Sequence, residues 1–196
     1  MEYDSDYSGW GNEVLYRMCQ EKPHHDNRDV IRAKLWIIGR AYSASIERKA
    51  KPGFKMEDAV DIIKASDIDL YIQELKKIER LNESNVFTLL KAHKYFTGVL
   101  KDATGIEKRS LASKYLHFHA PSSVFIYDSI ANKKIRKILR KQKKHFKISR
   151  KFDDAYEAFV CRCIYYRDMV LDPKIGRLAT PRRIDMELLG YRPLSD

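Results

Sequence analysis

Arg109-Ser110-Leu111-Ala112-Ser113-Lys114-Tyr115-Leu116-His117-Phe118-His119-Ala120-Pro121-Ser122-Ser123-Val124-Phe125-Ile126-Tyr127-Asp128-Ser129 reads as the end of one helix, a tight apolar loop closed by Pro121, and the start of a second helix whose first turn carries Asp128 and Ser129. A lysine, Lys114, and a carboxylate, Asp128, are thereby brought to one turn. If Asp128 opens a helix, its side chain sits where free backbone N–H groups and the helix dipole favour an anion. An anion so placed can stabilise a developing cation or activate a water. Lys114 is flanked by Leu111, Tyr115, Leu116 and Phe118, so it is expected to be partly desolvated, which lowers an amine's pKa and makes it nucleophilic. Spacing alone fits a helix-capping aspartate and a snorkelling lysine at least as well.

Just beyond lies the most basic run of the chain. Residues 133–151 hold eleven Lys and Arg (Lys133, Lys134, Arg136, Lys137, Arg140, Lys141, Lys143, Lys144, Lys147, Arg150, Lys151) and no Asp or Glu. Without them 27 basic residues face 27 acidic ones, so the whole net charge of +11 belongs to one segment. Such clustering is a local footprint for phosphates rather than a general solubility choice. Lys133, Lys137, Arg140 and Lys144 are the candidates to grip a phosphate backbone, with Ser113 as a further contact from the preceding helix.

The length of 196 residues, with 44% hydrophobic and 33% charged residues, describes one domain, 1–196, large enough for a full core and compatible with a two-lobed helical body with a cleft. No apolar run approaches the roughly 20 residues a bilayer span needs. The opening MEYDSDYSGWGNE has neither a basic lead nor an apolar stretch, so no secretory signal is expected, and residues 1–10 read as an arm or a disordered lead. Three cysteines, Cys19, Cys161 and Cys163, give no disulfide framework and fit a reducing, cytoplasmic setting. Cys161 and Cys163 stand two apart, facing different ways on a helix, and His24, His25, His117 and His119 lack partners at ligand spacing. No metal or cofactor is expected.

The remaining pattern is helical throughout. Val14, Leu15, Met18 and Cys19 place a short helix before Pro23, and Val30, Ile31, Leu35, Ile38, Ala41, Tyr42 and Ser45 place a long one from about Asp29 to Arg48. Segments over 56–65 and 69–81 follow. Ser84 is the expected N-cap of a helix that Gly105 stops. Residues 123–127, Ser-Val-Phe-Ile-Tyr, look β-like but suit a buried connector. Ile130, Ala131, Ile135, Ile138 and Leu139 give the apolar stripe of one basic amphipathic helix. Another runs from Phe152 to the Asp172-Pro173 and Gly176 region, and Thr180-Pro181 caps a last helix that Gly190 closes.

A base worked on inside duplex DNA must be flipped out and held against aromatic faces. Tyr42, Tyr115, Phe118, Tyr127, Tyr165 and Tyr166 are available, and Tyr42 and Tyr127 adjoin polar clusters, which makes them the choices for a base pocket. Arg40 and Glu47 lie two turns apart on the expected 29–48 helix, so they are expected to project into the same cleft; a solvent-exposed pair fits that spacing too.

A helix ending in a lysine, a short loop, a proline or apolar lead-in and an aspartate opening the next helix resembles the signature of the helix-hairpin-helix DNA glycosylase superfamily, over about Gly105 to Leu139. Two blocks, residues 36–48 (Trp-Ile-Ile-Gly-Arg-Ala-Tyr-Ser-Ala-Ser-Ile-Glu-Arg) and 113–119 (Ser-Lys-Tyr-Leu-His-Phe-His), also resemble small bacterial proteins related to these glycosylases, some linked to defence against phages with modified cytosines. The resemblance implies an all-α, two-lobed body with the cleft between lobes, residues 105–140 as its hairpin-like catalytic and DNA-binding region, and a monomer acting on double-stranded DNA. Asp128 would stabilise the oxocarbenium-like sugar and position water, while Lys114 would assist or attack the sugar carbon as a lyase. The turn lacks the family's paired glycines, and the interval from Lys114 to Asp128 is shorter than usual, which favours hydrolysis over the lyase step. Arg140 and His145 also fit the Arg-x4-His spacing that resembles ribonucleases of the HEPN family. A non-enzymatic DNA-binding protein is a third reading, with no use for Lys114 or Asp128.

Overall fold

The computed structural model describes residues 10–140 and 151–190, and among these every regular element is helical. The order is α1 (Trp10–Glu21), α2 (Arg28–Ala41), α3 (Met56–Lys64), α4 (Ile68–Lys76), α5 (Val86–Thr104), α6 (Arg109–His119), α7 (Ser129–Ile138), α8 (Asp154–Tyr166), a π-helical turn (Arg167–Leu171) continuing into α9 (Asp172–Ile175), and α10 (Pro181–Leu189). None of these helices is long and apolar enough to cross a membrane.

The fold is built around α6, which is buried without interruption from Leu111 to His119. A helix buried on all sides belongs at the centre of a core, and α6 packs against α1, α2, α4 and α5. Gly105 makes this possible: it ends α5 in the left-handed region at φ 79°, a conformation open to glycine at no steric cost, and turns the chain back into α6. Among the described residues the buried polar side chains of α6 have specific hydrogen-bond partners, with the exception of His119, whose ring stacks against Tyr115. The Tyr115 hydroxyl donates to His25 Nε2 at 2.8 Å, while His25 Nδ1 donates to Asp69 at 2.5 Å. His117 Nδ1 donates to the Val124 carbonyl at 2.7 Å and Nε2 accepts from the Tyr16 hydroxyl at 2.6 Å, which fixes the neutral tautomer.

The connector 120–128 carries no strand, and Val124, Phe125 and Ile126 are buried in it, as a buried connector requires. Beyond it α7 packs on α8 and α10. The expected apolar stripe of α7 is corrected at its ends: Ala131, Ile135 and Leu139 are buried, but Ile130 and Ile138 are exposed. α10 begins as read, with Thr180 Oγ1 accepting from Arg183 N at 3.0 Å and Gly190 closing the helix at φ 82°. Asn85, not Ser84, occupies the N-cap position of α5, because Asn82 takes the Ser84 N–H and hydroxyl on its own side chain.

The larger correction concerns α2. It stops at Ala41 rather than running to Arg48, because Ser43 takes a left-handed φ of 51° and Ala44 and Ile46 then turn into the core as loop residues. Glu47 is therefore off the helix.

Burial also sets the acid response. His93 stacks on Tyr156 with ring centroids 3.6 Å apart, and burial pushes it down from 6.5 to about 4, and His117 to about 3. Unfolding returns both to ordinary values, so the unfolded chain binds more protons at acid pH. The stability tied to neutral imidazoles is thus fully present above pH ~6.5 and is lost as pH falls towards about 4 and about 3. Urea unfolding at pH 7 and pH 4.5 is expected to differ by several kcal/mol, on the order of 3 kcal/mol for each fully buried histidine over the fall from its unfolded value to pH 4.5. His117→Gln should remove its share of that pH dependence.

Candidate active site

Lys114 and Asp128 meet. Asp128 is the N-cap of α7, its Oδ1 accepting from Ile130 N at 2.8 Å, which leaves Oδ2 facing Lys114 Nζ at 3.7 Å. Lys114 lies in the middle of α6, only 4% exposed. Its ammonium donates to the Tyr42 carbonyl at 3.0 Å, one of the carbonyls left open where α2 ends, at the pole of a helix dipole that favours cations. Burial holds the Lys114 amine below the ordinary lysine value, with Asp128 and then Asp185 pulling against it.

Tyr42 stands in the same cluster. Its ring packs edge-on against Phe118 at 5.1 Å, its hydroxyl donates to Asn12, and burial holds its phenol up at about 12. The Arg182 guanidinium lies 5.8 Å from the Tyr42 ring centroid and donates to Asp185 Oδ2 at 2.6 Å. Asp185 is 3% exposed, and its Oδ1 has no hydrogen-bond partner among the described residues. Burial raises this carboxyl to about 6 against the pull of Arg182 and Lys114, with Asp128 adding to the rise. Arg182 and Asp185 escape a reading of the sequence because they lie far along the chain from Asp128. Their only signal is an Arg–Asp pair at i,i+3 just inside the Thr180-Pro181 cap.

Tyr127 is half-buried beside this cluster, edge-on to Phe159 at 5.2 Å, with the Arg109 guanidinium 5.6 Å from its ring and its hydroxyl accepting from Asn132 at 3.2 Å. Lys133, Lys137 and Arg140 are exposed on and just after α7. Lys144 and His145 lie outside the described residues, so the Arg140/His145 pairing does too.

Three expectations are corrected. Ser113 is fully buried and cannot touch DNA: its Oγ accepts from Tyr127 N at 2.9 Å and donates to the Ser110 carbonyl at 3.0 Å, pinning the connector to α6. Ser113→Ala is expected to cost about 1–3 kcal/mol by orphaning the Tyr127 N–H, with DNA affinity unchanged; chemical denaturation and a binding titration check this. Arg40 and Glu47 do not share a helix face. Arg40 is exposed with its guanidinium 5.7 Å from the Trp36 ring, and exposed Glu47 acts electrostatically on Lys108. Tyr115, Phe118 and Tyr166 are core rather than pocket residues.

No protein-family model, curated protein or solved structure matches the chain. Among the described residues no three His, Cys, Asp or Glu side chains gather as metal ligands. The thiols are buried or half-buried and pushed up, Cys19 to about 12 and Cys161 to about 11, values that make them inert at neutral pH. The chemistry available is that of an amine, two carboxyls in unlike surroundings, and a guanidinium, next to an exposed basic helix.

Proposed function

We propose that the protein is a DNA glycosylase of the helix-hairpin-helix type, which hydrolyses the N-glycosidic bond of a modified base and leaves an abasic site. The observation that carries this reading is the contact of Lys114 Nζ with Asp128 Oδ2 at 3.7 Å, made at the head of the helix that bears the exposed cations. Cleavage of the bond develops positive charge on the sugar, and the Asp128 carboxylate offsets it and takes a proton from the attacking water. Lys114 assists as a neighbouring cation, with the departing base packed against Tyr42 and Tyr127. Lys133, Lys137 and Arg140 hold phosphates beside the extruded nucleotide.

The packing supports a two-lobed body. α1 to α6 form one connected group, α7 packs on both α8 and α10, and Lys114 comes from the first group while Asp128 and Asp185 cap or occupy the second. The resemblance to phage-defence proteins makes a modified cytosine, such as a glucosylated hydroxymethylcytosine, the substrate to try first. Incubation with genomic DNAs from phages carrying different modifications should yield abasic sites in one of them. Intact DNA across the whole set, with RNA degraded instead, would overturn the reading.

A further inference from the structure

Hydrolysis as described above gives no task to Asp185, although a buried carboxyl is costly to keep. It is linked to Lys114 through a buried cluster: Arg182 donates to it at 2.6 Å and lies 5.8 Å from the ring of Tyr42, whose carbonyl receives Lys114 at 3.0 Å. The charges of Lys114 from α6 and Asp128 at the head of α7 act on it, as it acts on the Tyr42 phenol and the Cys163 thiol from α8. Arg182 occupies Oδ2, and Oδ1 is left unpaired among the described residues. With both carboxylates ionised, Arg182 and Lys114 are balanced by Asp128 and Asp185. Remove Asp185 and the buried cluster carries an excess positive charge, which the Lys114 amine can relieve by losing its proton.

We propose that Asp185 is a positioning residue that keeps Lys114 an ammonium and so confines the site to hydrolysis, withholding the amine that would add to an abasic sugar and cut the strand. Two contacts favour the proton on Nζ, the Tyr42 carbonyl at 3.0 Å and Asp128 Oδ2 at 3.7 Å, and the charge of Asp185 acts in the same sense. Burial opposes them. A neutral amine would add to the C1′ aldehyde of an abasic site and, after loss of water, form a protonated imine; an ammonium has no lone pair with which to begin. Asp185 thus decides which product leaves. This rests on reading Lys114 and Asp128 as the reacting pair.

The test uses the full chain and a duplex carrying one preformed abasic site, so it does not depend on which base is excised. With borohydride present at pH 7, Asp185→Asn is expected to give about tenfold more covalent protein–DNA adduct than the unmodified protein, with adduct formation beginning at lower pH. The Lys114→Ala/Asp185→Asn double variant should give none. Loss of a merely structural carboxylate would not create a reactive amine. The reciprocal arm follows the Asp185 carboxyl by 13C NMR in Lys114→Met, where its titration midpoint should rise above about 6. Equal adduct yields for Asp185→Asn and the unmodified protein at every pH, or a midpoint that does not move in Lys114→Met, overturn the proposal. If adduct rises in Asp185→Asn while no modified DNA loses a base, the restraint on Lys114 stands and the glycosylase reading falls.

Discussion

Asp128→Asn is expected to lower base release by at least ~10³-fold while leaving DNA affinity within about twofold. The amide is isosteric with the carboxylate and its oxygen can still accept from Ile130 N, so α7 keeps its cap. What disappears is the negative charge facing Lys114, and with it both the electrostatic support for a cationic sugar and the acceptor for the water's proton. Removing a cap outright costs about 1 kcal/mol, far too little to mimic such a loss of rate. Single-turnover base release together with a salt titration of binding separates the two effects. An Asp128→Asn protein with full activity would remove Asp128 from the chemistry.

The second large effect belongs to the outer face of α7. Lys133→Ala, Lys137→Ala and Arg140→Ala together are expected to weaken duplex binding by about 10²–10³-fold near 0.1 M salt and to reduce the slope of log K against log salt by about 3, since each phosphate contact contributes roughly 0.9. These side chains are exposed, so stability should change little. A sequence-independent loss is expected, because phosphate contacts position without specifying. If the slope does not change, the basic helix does not lie on the nucleic acid.

How far the sequence goes depends on whether a feature is decided locally. Gly105, the Thr180-Pro181 cap and Asp128 at the head of a helix are local matters of backbone conformation and capping, and each is legible. The end of α2 is not. Apolar spacing continues past Ala41 through Ile46, and only the packing of Ala44 and Ile46 as loop residues, with Ser43 left-handed between them and Tyr42, breaks it. That break separates Arg40 from Glu47, yet it also opens the Tyr42 carbonyl that receives Lys114. The polar residues of α6 mislead in the opposite direction: Ser113, His117 and His119 look like an outward face, and the partners that let Ser113 and His117 be buried lie elsewhere in the chain. Within the site, the Lys114–Asp128 pair was within reach of spacing, whereas Arg182 and Asp185 arrive only when α10 docks on α7.

The π-helical turn at Arg167–Leu171 bears on that docking. Such a turn accommodates one residue more than an α-helix would, and here it is fastened on both sides: Arg167 donates to the Leu81 carbonyl at 2.7 Å, and Arg80 reaches Asp168 at 2.6 Å and Asp172 at 2.5 Å. Because the wider turn takes up the extra residue locally, the chain beyond it keeps the phase it would have on an unbroken α-helix, which leaves Asp172 as well as Asp168 within reach of Arg80. The single surplus residue therefore serves as a clasp: it lets one arginine from the segment between α4 and α5 hold two carboxylates of the C-terminal part at once.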